Sequence, residues 1–110
     1  MNLPNGDRAN LDRKLEDYVL NRSHREGRHK AHVFESVLGI TLKNAHLLRR
    51  ALLDAAAFSA TAEPRGDNGF GEVYVIRFRL EPAGGAGMVL SAWIIRHGED
   101  VPRLTTCYMV

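Results

Sequence analysis

The chain contains a single cysteine, Cys107, and has no long hydrophobic run. One cysteine cannot form an intramolecular disulfide or a cysteine-based metal cage, and within the apolar C-terminal run it is expected to be buried and inert. No window approaches the roughly eighteen apolar residues of a membrane span, and residues 1–14 lack the apolar segment of a secretory signal. We therefore expect a cytoplasmic protein, although a toxin module excised from an exported protein would have the same features.

The signatures of several common enzyme classes are also missing. The sequence has no P-loop, no GxGxxG after a strand, no GxSxG and no close pair of carboxylates of the metal-nuclease kind. His29 and His32 have a spacing that can bind a metal from one helix face, but no third ligand accompanies them. We therefore expect neither a metal nor a cofactor, and we do not expect acid–base chemistry led by carboxylates.

A length of 110 residues, with 45% hydrophobic and 25% charged residues, predicts one soluble domain spanning residues 1–110. The N-terminal part of this domain is predicted to be helical. Apolar residues recur with a helical period over about 11–20, and two further helical stripes extend the helical part to about residue 58. Gly39 has the position of a glycine that ends the second helix, and Thr41 that of a cap before the third.

The C-terminal part is predicted to be a sheet over about residues 70–110. A segment rich in Gly, Pro and charge, 61–71, ends the helical period, and a period of two follows it. Strands are expected at 72–80, 88–97 and 103–110, joined by turns into an antiparallel meander. The predicted fold class is therefore α+β, with N-terminal helices packed on one face of a C-terminal antiparallel sheet.

A strongly basic cluster lies before and within the second predicted helix. Residues 22–32 read RSHREGRHKAH, and seven of these eleven side chains are Arg, His or Lys. Cations at a helix N-terminus are unfavourable by roughly 0.3–1 kcal/mol each, because that end already carries partial positive charge. Together with free helix N–H groups, however, they would bind a phosphate. An ordinary solvated basic surface is the alternative interpretation.

The end of the chain carries a second set of polar side chains. Arg96 and His97 end one predicted strand, and a strict period of two on the next strand places Thr106 and Tyr108 on the same face as Leu104. A hairpin would then bring Arg96, a threonine hydroxyl and Tyr108 into one groove. The alternative is that threonine and tyrosine are present because they favour strands.

Several motifs resemble those of a small uncharacterised bacterial domain family. They are Lys14-Leu15-x-x-Tyr18-Val19-Leu20, His24-x-x-Gly27-x-x-Lys30-Ala31-x-x-Phe34, Leu38-Gly39, Trp93-Ile94-Ile95-Arg96-x-Gly98, and Pro102-Arg103-Leu104-Thr105-Thr106-x-Tyr108. The family occurs as solitary short proteins and as C-terminal modules of larger phage-like or secreted proteins. Such placement is typical of toxin–antitoxin and polymorphic-toxin systems.

The layout also resembles the barnase–EndoU–colicin–RelE group of metal-independent ribonuclease toxins. These proteins place helices before a four-stranded antiparallel sheet, so the resemblance implies a fourth strand, from the N-terminal segment or from a split of the second predicted strand. It also implies active residues from a helical His/Lys pair, here His24 and Lys30, and from late strands. The matching strand residues are Arg96, Thr105 or Thr106, and Tyr108.

The function predicted from these features is a metal-independent endoribonuclease toxin that cleaves RNA by attack of the 2′-hydroxyl. Histidine would be the base or acid, the cations would stabilise the phosphorane, and tyrosine would be an alternative acid. The predicted catalytic residues are His24, Lys30, Arg96, Thr106 and Tyr108, and the predicted substrate-binding residues are Arg28, His29, Arg103 and Thr105. The expected partners are RNA and a cognate antitoxin or immunity protein. The alternative is a non-catalytic binding module, either a toxin-neutralising partner or a nucleic-acid-binding domain.

Overall fold

Helices precede a four-stranded sheet along the chain in the computed structural model, which describes residues 1–110. The N-terminal part contains two α-helices, a π-helical segment and two short 3₁₀ turns. These elements are the π-helical segment Leu15–Val19, α1 Arg28–Leu38, α2 Ala45–Phe58, and the 3₁₀ turns Gly6–Arg8 and Leu42–Asn44. None of the helices has the length and apolarity that crossing a bilayer requires.

The first predicted helix is present only in part. The structure has a π-helical segment at Leu15–Val19 instead of a regular helix over 11–20. Asp12 has a φ of 51°, a left-handed conformation that a helix cannot continue through. Leu11, Leu15 and Val19 are nonetheless buried. The apolar period therefore predicted which side chains enter the core, and it missed the irregular backbone that carries them.

The second and third predicted helices are confirmed as α1 and α2. In α1, Ala31, Phe34 and Leu38 form the buried stripe, and Gly39 follows with a φ of 67°. The Thr41 side chain accepts a hydrogen bond from the Lys43 N–H, which caps the 3₁₀ turn that leads into α2. The buried face of α2 consists of Leu48, Leu52, Ala55 and Ala56.

The sheet is an antiparallel meander in the order β1-β2-β3-β4. Its strands are β1 Glu63–Asp67, β2 Gly71–Leu80, β3 Gly87–Arg96 and β4 Arg103–Met109. The predicted α+β class is therefore confirmed. The predicted source of the fourth strand was wrong, because the additional strand is β1, which comes from the segment interpreted as a break. All five of its residues are exposed, and it contains Pro64 and Gly66, so it has no alternation to detect.

The helices cover only one face of the sheet, and the core lies between the helices and that face. Trp93 is fully buried there, and its indole N–H donates to Ser91 Oγ at 2.9 Å. The Ser91 hydroxyl in turn donates to the Ile76 carbonyl at 2.9 Å, so both buried polar groups have partners. Val75 and Leu90 lie outside this core cluster although they are buried, which identifies a second, smaller apolar layer on the uncovered face.

A bulge in β4 overturns the predicted facing of the threonines. Ala92 pairs with Thr106 but Trp93 pairs with Leu104, so Thr105 is an extra residue without a partner. Leu104 and Cys107, three positions apart, are both in the core. Thr106, opposite Ala92, and Tyr108, opposite Leu90, therefore lie on the uncovered face, and the prediction that they share a face with Leu104 was wrong.

Candidate functional site

Tyr18, His24 and Lys30 form a compact cluster where the π-helical segment meets the first turn of α1. Lys30 Nζ donates a hydrogen bond to the Tyr18 hydroxyl at 2.7 Å and lies 4.8 Å from the centroid of the same ring. The His24 ring meets the Tyr18 ring edge-on, with their centroids 4.8 Å apart. All three side chains are half-buried. A cation, a phenol and an imidazole are thus held together at a partly exposed position.

Gly27 makes this cluster possible by allowing two backbone segments to touch. A Cβ on Gly27 would lie 2.0 Å from the Tyr18 carbonyl oxygen and 2.9 Å from its carbon. The φ of Gly27 is −80°, an ordinary value, so the glycine is required by the close approach and not by its own conformation. This contact holds the start of α1 against the segment that carries Tyr18.

The hydrogen bonds of His24 define its tautomer. Its Nδ1 accepts from the backbone N–H groups of Glu26, at 3.0 Å, and Gly27, at 2.9 Å. A nitrogen that accepts carries no proton, so the neutral ring bears its proton on Nε2. His24 therefore offers a hydrogen-bond donor to a ligand. Acting as a base through Nε2 would require the other tautomer, which would lose both backbone bonds.

Lys30 also borders a pocket at the β4 edge of the sheet. It is lined by His29, Lys30, Val33, Tyr108 and Met109. We call this the Lys30 pocket. Lys30 Nζ lies 5.9 Å from the Tyr108 ring centroid. Because the same ammonium group contacts Tyr18, the pocket adjoins the Tyr18 cluster. No carboxylate lines it, and an anion entering it would meet only positive or neutral groups.

Arg96 and Thr105 belong to a different groove, at the end of the sheet nearer the N-terminal segment. This Arg96 groove also contains Lys14, Phe70, His97 and Arg103. The groove around His24, the His24 groove, includes Lys14 and Tyr18 but also three carboxylates, those of Asp12, Asp17 and Glu26. Lys14 lines both grooves and joins them into one surface. The prediction that His24, Lys30 and Arg96 converge on one phosphate-sized pocket is therefore wrong, because Arg96 lines a different groove.

Arg103 is occupied by contacts within the protein. Its guanidinium donates to both carboxylate oxygens of Asp12, at 3.2 and 3.3 Å, and to Glu99 at 3.0 Å. Hydrogen bonding and charge from Glu99, with a further contribution from Asp12, raise the pKa of Arg103 above its usual value. Beside it, the Leu104 N–H donates to the Asn10 carbonyl. These contacts tie the N-terminal segment to β4, which favours a structural role for Arg103.

The remaining two predicted residues line neither the Lys30 pocket nor the two grooves. The Arg28 side chain is exposed in the first turn of α1, next to the cluster, where the Arg28 N–H donates to the His24 carbonyl at 3.0 Å. Thr106 is half-buried on the uncovered face, where its Oγ1 has no hydrogen-bond partner. Among the nine predicted site residues, His24 and Lys30 contact Tyr18, and His29 and Tyr108 line the pocket on which Lys30 also borders. Arg96, Thr105 and Arg103 are grouped elsewhere.

No functional role is assigned to Tyr18, Lys14 or Phe70 from the sequence, although Lys14 and Tyr18 belong to one of the family motifs. Tyr18 falls within the apolar helical period predicted over about 11–20, and nothing in the sequence marks its hydroxyl. Phe70, 74% exposed, lies in the segment that was interpreted as a break. The available signal was a large aromatic residue inside a run of turn-forming residues, DNGFG, where no core position is expected.

No three side chains of His, Cys, Asp or Glu are placed to hold a metal ion together. Burial raises the pKa of the Cys107 thiol to about 12, although the nearby charge of Lys30 acts in the opposite direction. Cys107 therefore lies behind the Lys30 pocket as a neutral core side chain.

Fold and site together define a small α+β domain with a cationic, aromatic site where its helices meet the edge of its sheet. The chain belongs to the family described as Domain of unknown function (DUF6883), whose model matches residues 2–110. The match confirms the predicted membership in a small domain family of unknown function. No curated protein and no solved structure matches the chain significantly.

Proposed function

We propose that this protein is a metal-independent endoribonuclease that acts as a toxin, with its reaction centre at Lys30. The supporting observation is the hydrogen bond of 2.7 Å between Lys30 Nζ and the Tyr18 hydroxyl, beside a pocket free of carboxylates. Because the tyrosine oxygen accepts this bond, its own proton remains available for a phosphate oxygen or a leaving 5′-oxygen. The ammonium group would stabilise the negative charge that develops on the phosphorane.

The bonding of the two histidines favours a revised division of their roles. His24 uses Nδ1 to accept two backbone bonds and would donate to phosphate through Nε2. His29 is exposed in the Lys30 pocket and has no hydrogen bond within the protein, so either of its nitrogens can present a lone pair. In this proposal His29 takes the proton of the attacking 2′-hydroxyl, a requirement that itself selects RNA over DNA.

The test is incubation of the purified protein with total RNA in the presence of a chelator, followed by analysis of the cleaved ends. We expect cleavage that EDTA does not inhibit and products that carry 2′,3′-cyclic phosphates. Lys30→Ala should abolish cleavage and relieve growth arrest in expressing cells. Lys43→Ala is the matched control, because Lys43 is an exposed lysine without an ion pair on the 3₁₀ turn before α2. Intact RNA with the wild-type protein would contradict the proposal.

The alternative is a non-catalytic binding module, such as a toxin-neutralising partner or a nucleic-acid-binding domain. It is favoured by the position of Arg96 and Thr105, which lie in a groove of their own and not at Lys30. In that case Lys30→Ala and Arg96→Ala would both weaken a salt-sensitive complex, and no RNA would be cleaved. The toxin proposal also requires a cognate antitoxin or immunity protein, which co-purification with the product of the adjacent reading frame would identify.

A further inference from the structure

Phe70 is an apolar side chain that the protein holds in solvent. Phe70 is 74% exposed at the tip of the β1–β2 connection. The backbone beneath it is firmly bonded, because Asn68 Oδ1 accepts from the N–H groups of Phe70, at 2.9 Å, and Gly71, at 3.2 Å. The His97 N–H also donates to the Phe70 carbonyl at 2.9 Å. The exposure therefore results from an ordered turn and not from a loose loop.

The charges around Phe70 distinguish it from other exposed apolar residues. Phe70 lines the Arg96 groove, and no Asp or Glu side chain lines it. Two of its cations are free of ion pairs, Lys14 and Arg96, whereas Arg103 and His97 are bonded to carboxylates. Phe58 is equally exposed, at 78%, but it lies with Asp54 at the end of α2. Only Phe70 combines an exposed aromatic face with unpaired positive charge.

We propose that the Arg96 groove is a binding subsite for one nucleotide of single-stranded RNA. The base stacks on Phe70, and the adjoining phosphate binds between Lys14 and Arg96, with the exposed Thr105 hydroxyl as a further donor. Aromatic stacking beside backbone-binding cations is the usual way in which proteins hold single strands without reading their sequence. An unpaired base is required, since a base inside a duplex has no free face to stack.

The subsite also implies a path for the RNA strand across the protein surface. Lys14 lines both the Arg96 groove and the His24 groove, and the latter contains Tyr18, whose hydroxyl is bonded to Lys30. A strand with one base on Phe70 would continue past Lys14 toward Tyr18, along a groove in which three carboxylates accompany the cations. The inference rests on the proposed function for the substrate class, and it adds a site remote from Lys30.

The test measures binding without cleavage. The probe is a short fluorescein-labelled 2′-O-methyl oligouridine, which lacks the attacking hydroxyl, and binding is followed by fluorescence anisotropy. Phe70→Ala should weaken binding by roughly 5- to 150-fold, the range for loss of one base–aromatic stack. Phe70→Leu, which keeps an apolar side chain, should behave like alanine, and Phe58→Ala should bind as the wild type does. Arg96→Ala should lower the slope of log affinity against log salt by about 0.7.

Phe70→Trp provides a direct readout of stacking. The native Trp93 is fully buried, so an indole at position 70 would be the only one that the probe can reach. Addition of the probe should quench its fluorescence and protect it from acrylamide, while affinity stays close to that of the wild type. Phe58→Trp is the matched control and should show neither effect. An equivalent duplex probe should bind more weakly than the single strand.

Failure of the subsite and failure of the ribonuclease proposal give different results. If Phe70→Ala binds the probe as tightly as the wild type, or if the wild type does not bind it, the subsite is wrong, whatever happens to total RNA. If the Phe70 variants lose binding and the wild type leaves total RNA intact, the subsite stands as part of a binding module. Loss of binding by Phe70→Ala together with chelator-resistant cleavage supports both.

Discussion

Lys30 Nζ lies 2.7 Å from the Tyr18 hydroxyl oxygen and donates to it, which joins the first turn of α1 to the π-helical segment. The same ammonium group is 4.8 Å from the Tyr18 ring centroid and 5.9 Å from that of Tyr108. The cation therefore has two aromatic neighbours and one hydroxyl partner and no carboxylate partner. The Lys30 ammonium group is thus a fixed positive charge without a counterion, which favours the binding of an anion.

Removal of the Tyr18 hydroxyl should separate its chemical role from its packing. Tyr18→Phe keeps the ring that contacts His24 and Lys30, so the free energy of unfolding should fall by only about 0.5–1.5 kcal/mol. If the phenol is the acid in RNA cleavage, the rate should fall roughly 10²-fold or more. Tyr74→Phe is the control, because Tyr74 packs at the edge of the core. Undiminished cleavage by Tyr18→Phe would remove the tyrosine from the mechanism.

The acceptor role of His24 Nδ1 predicts different effects for two substitutions. In His24→Asn the new side chain would place an amide oxygen near the position of Nδ1, so the bonds from the Glu26 and Gly27 N–H groups would survive. We expect His24→Asn to change stability by less than about 0.5 kcal/mol and His24→Ala to cost about 1–2 kcal/mol. Urea denaturation measures both.

The same pair of variants tests whether Nε2–H contacts substrate. If it does, His24→Asn should lose RNA cleavage although its fold is intact. Nitrogen chemical shifts of the wild-type imidazole should independently show the proton on Nε2. A proton found on Nδ1 would overturn the tautomer and return His24 to the role of base.

Gly27 should tolerate no side chain. A Cβ would lie 2.0 Å from the Tyr18 carbonyl oxygen, and a backbone atom cannot move aside as a flexible side chain can. We expect Gly27→Ala to lower the free energy of unfolding by about 1–3 kcal/mol and to displace Lys30 from Tyr18. The exposed Ser23, in the same loop, is the control, and Ser23→Ala should stay within about 0.5 kcal/mol. A wild-type denaturation curve for Gly27→Ala would show that the two segments are not in contact.

The fold was predictable where burial imposes a period. Phe34 and Leu38 in α1, and Leu48 and Leu52 in α2, follow the helical repeat because one side of each helix enters the core. Strand β1 could not be found this way, since all five of its residues are exposed and its pairing depends on backbone hydrogen bonds. A period carries information only about elements that have an inside and an outside.

The candidate site was less predictable because it depends on small departures from regular structure. The bulge at Thr105 reverses the facing of residues on one side of it, and a strict period of two cannot anticipate an inserted residue. The meeting of Tyr18 with Lys30 depends on the approach of Gly27 to the Tyr18 carbonyl, a contact between segments. Residue types suggested that His24 and Lys30 belong together, and only the tertiary contacts showed that Arg96 lies elsewhere.

The hydrogen-bonded contact between Asp67 and His97, next to the turn that carries Phe70, should be sensitive to acid. A hydrogen bond from His97 and one from the Gly69 N–H hold the pKa of Asp67 below its usual 3.8. Because the folded-state pKa is lowered, the stabilisation is present above 3.8 and is lost as pH falls below that value through the folded pKa. Titration of the Asp67 carboxyl by NMR should show this, and His97→Ala should move its pKa back toward 3.8. His46→Ala, which removes a histidine elsewhere on the surface, should leave the Asp67 titration unchanged.

Cys107 should be inert in the folded protein and reactive once it unfolds. Burial raises the pKa of its thiol to about 12, and the thiolate is the form that reacts with Ellman's reagent. At about pH 8 we expect no labelling of the native protein and complete labelling in urea. The sign of the linked pH effect follows from the raised pKa. The neutral thiol favours the fold up to the ordinary value of 9.0, and stability then falls as pH rises from 9.0 toward 12, because only the unfolded thiol ionises. Cys107→Ala should remove this contribution to the alkaline decline, whereas rapid labelling of the native protein would mean that the core behind Lys30 is open to solvent.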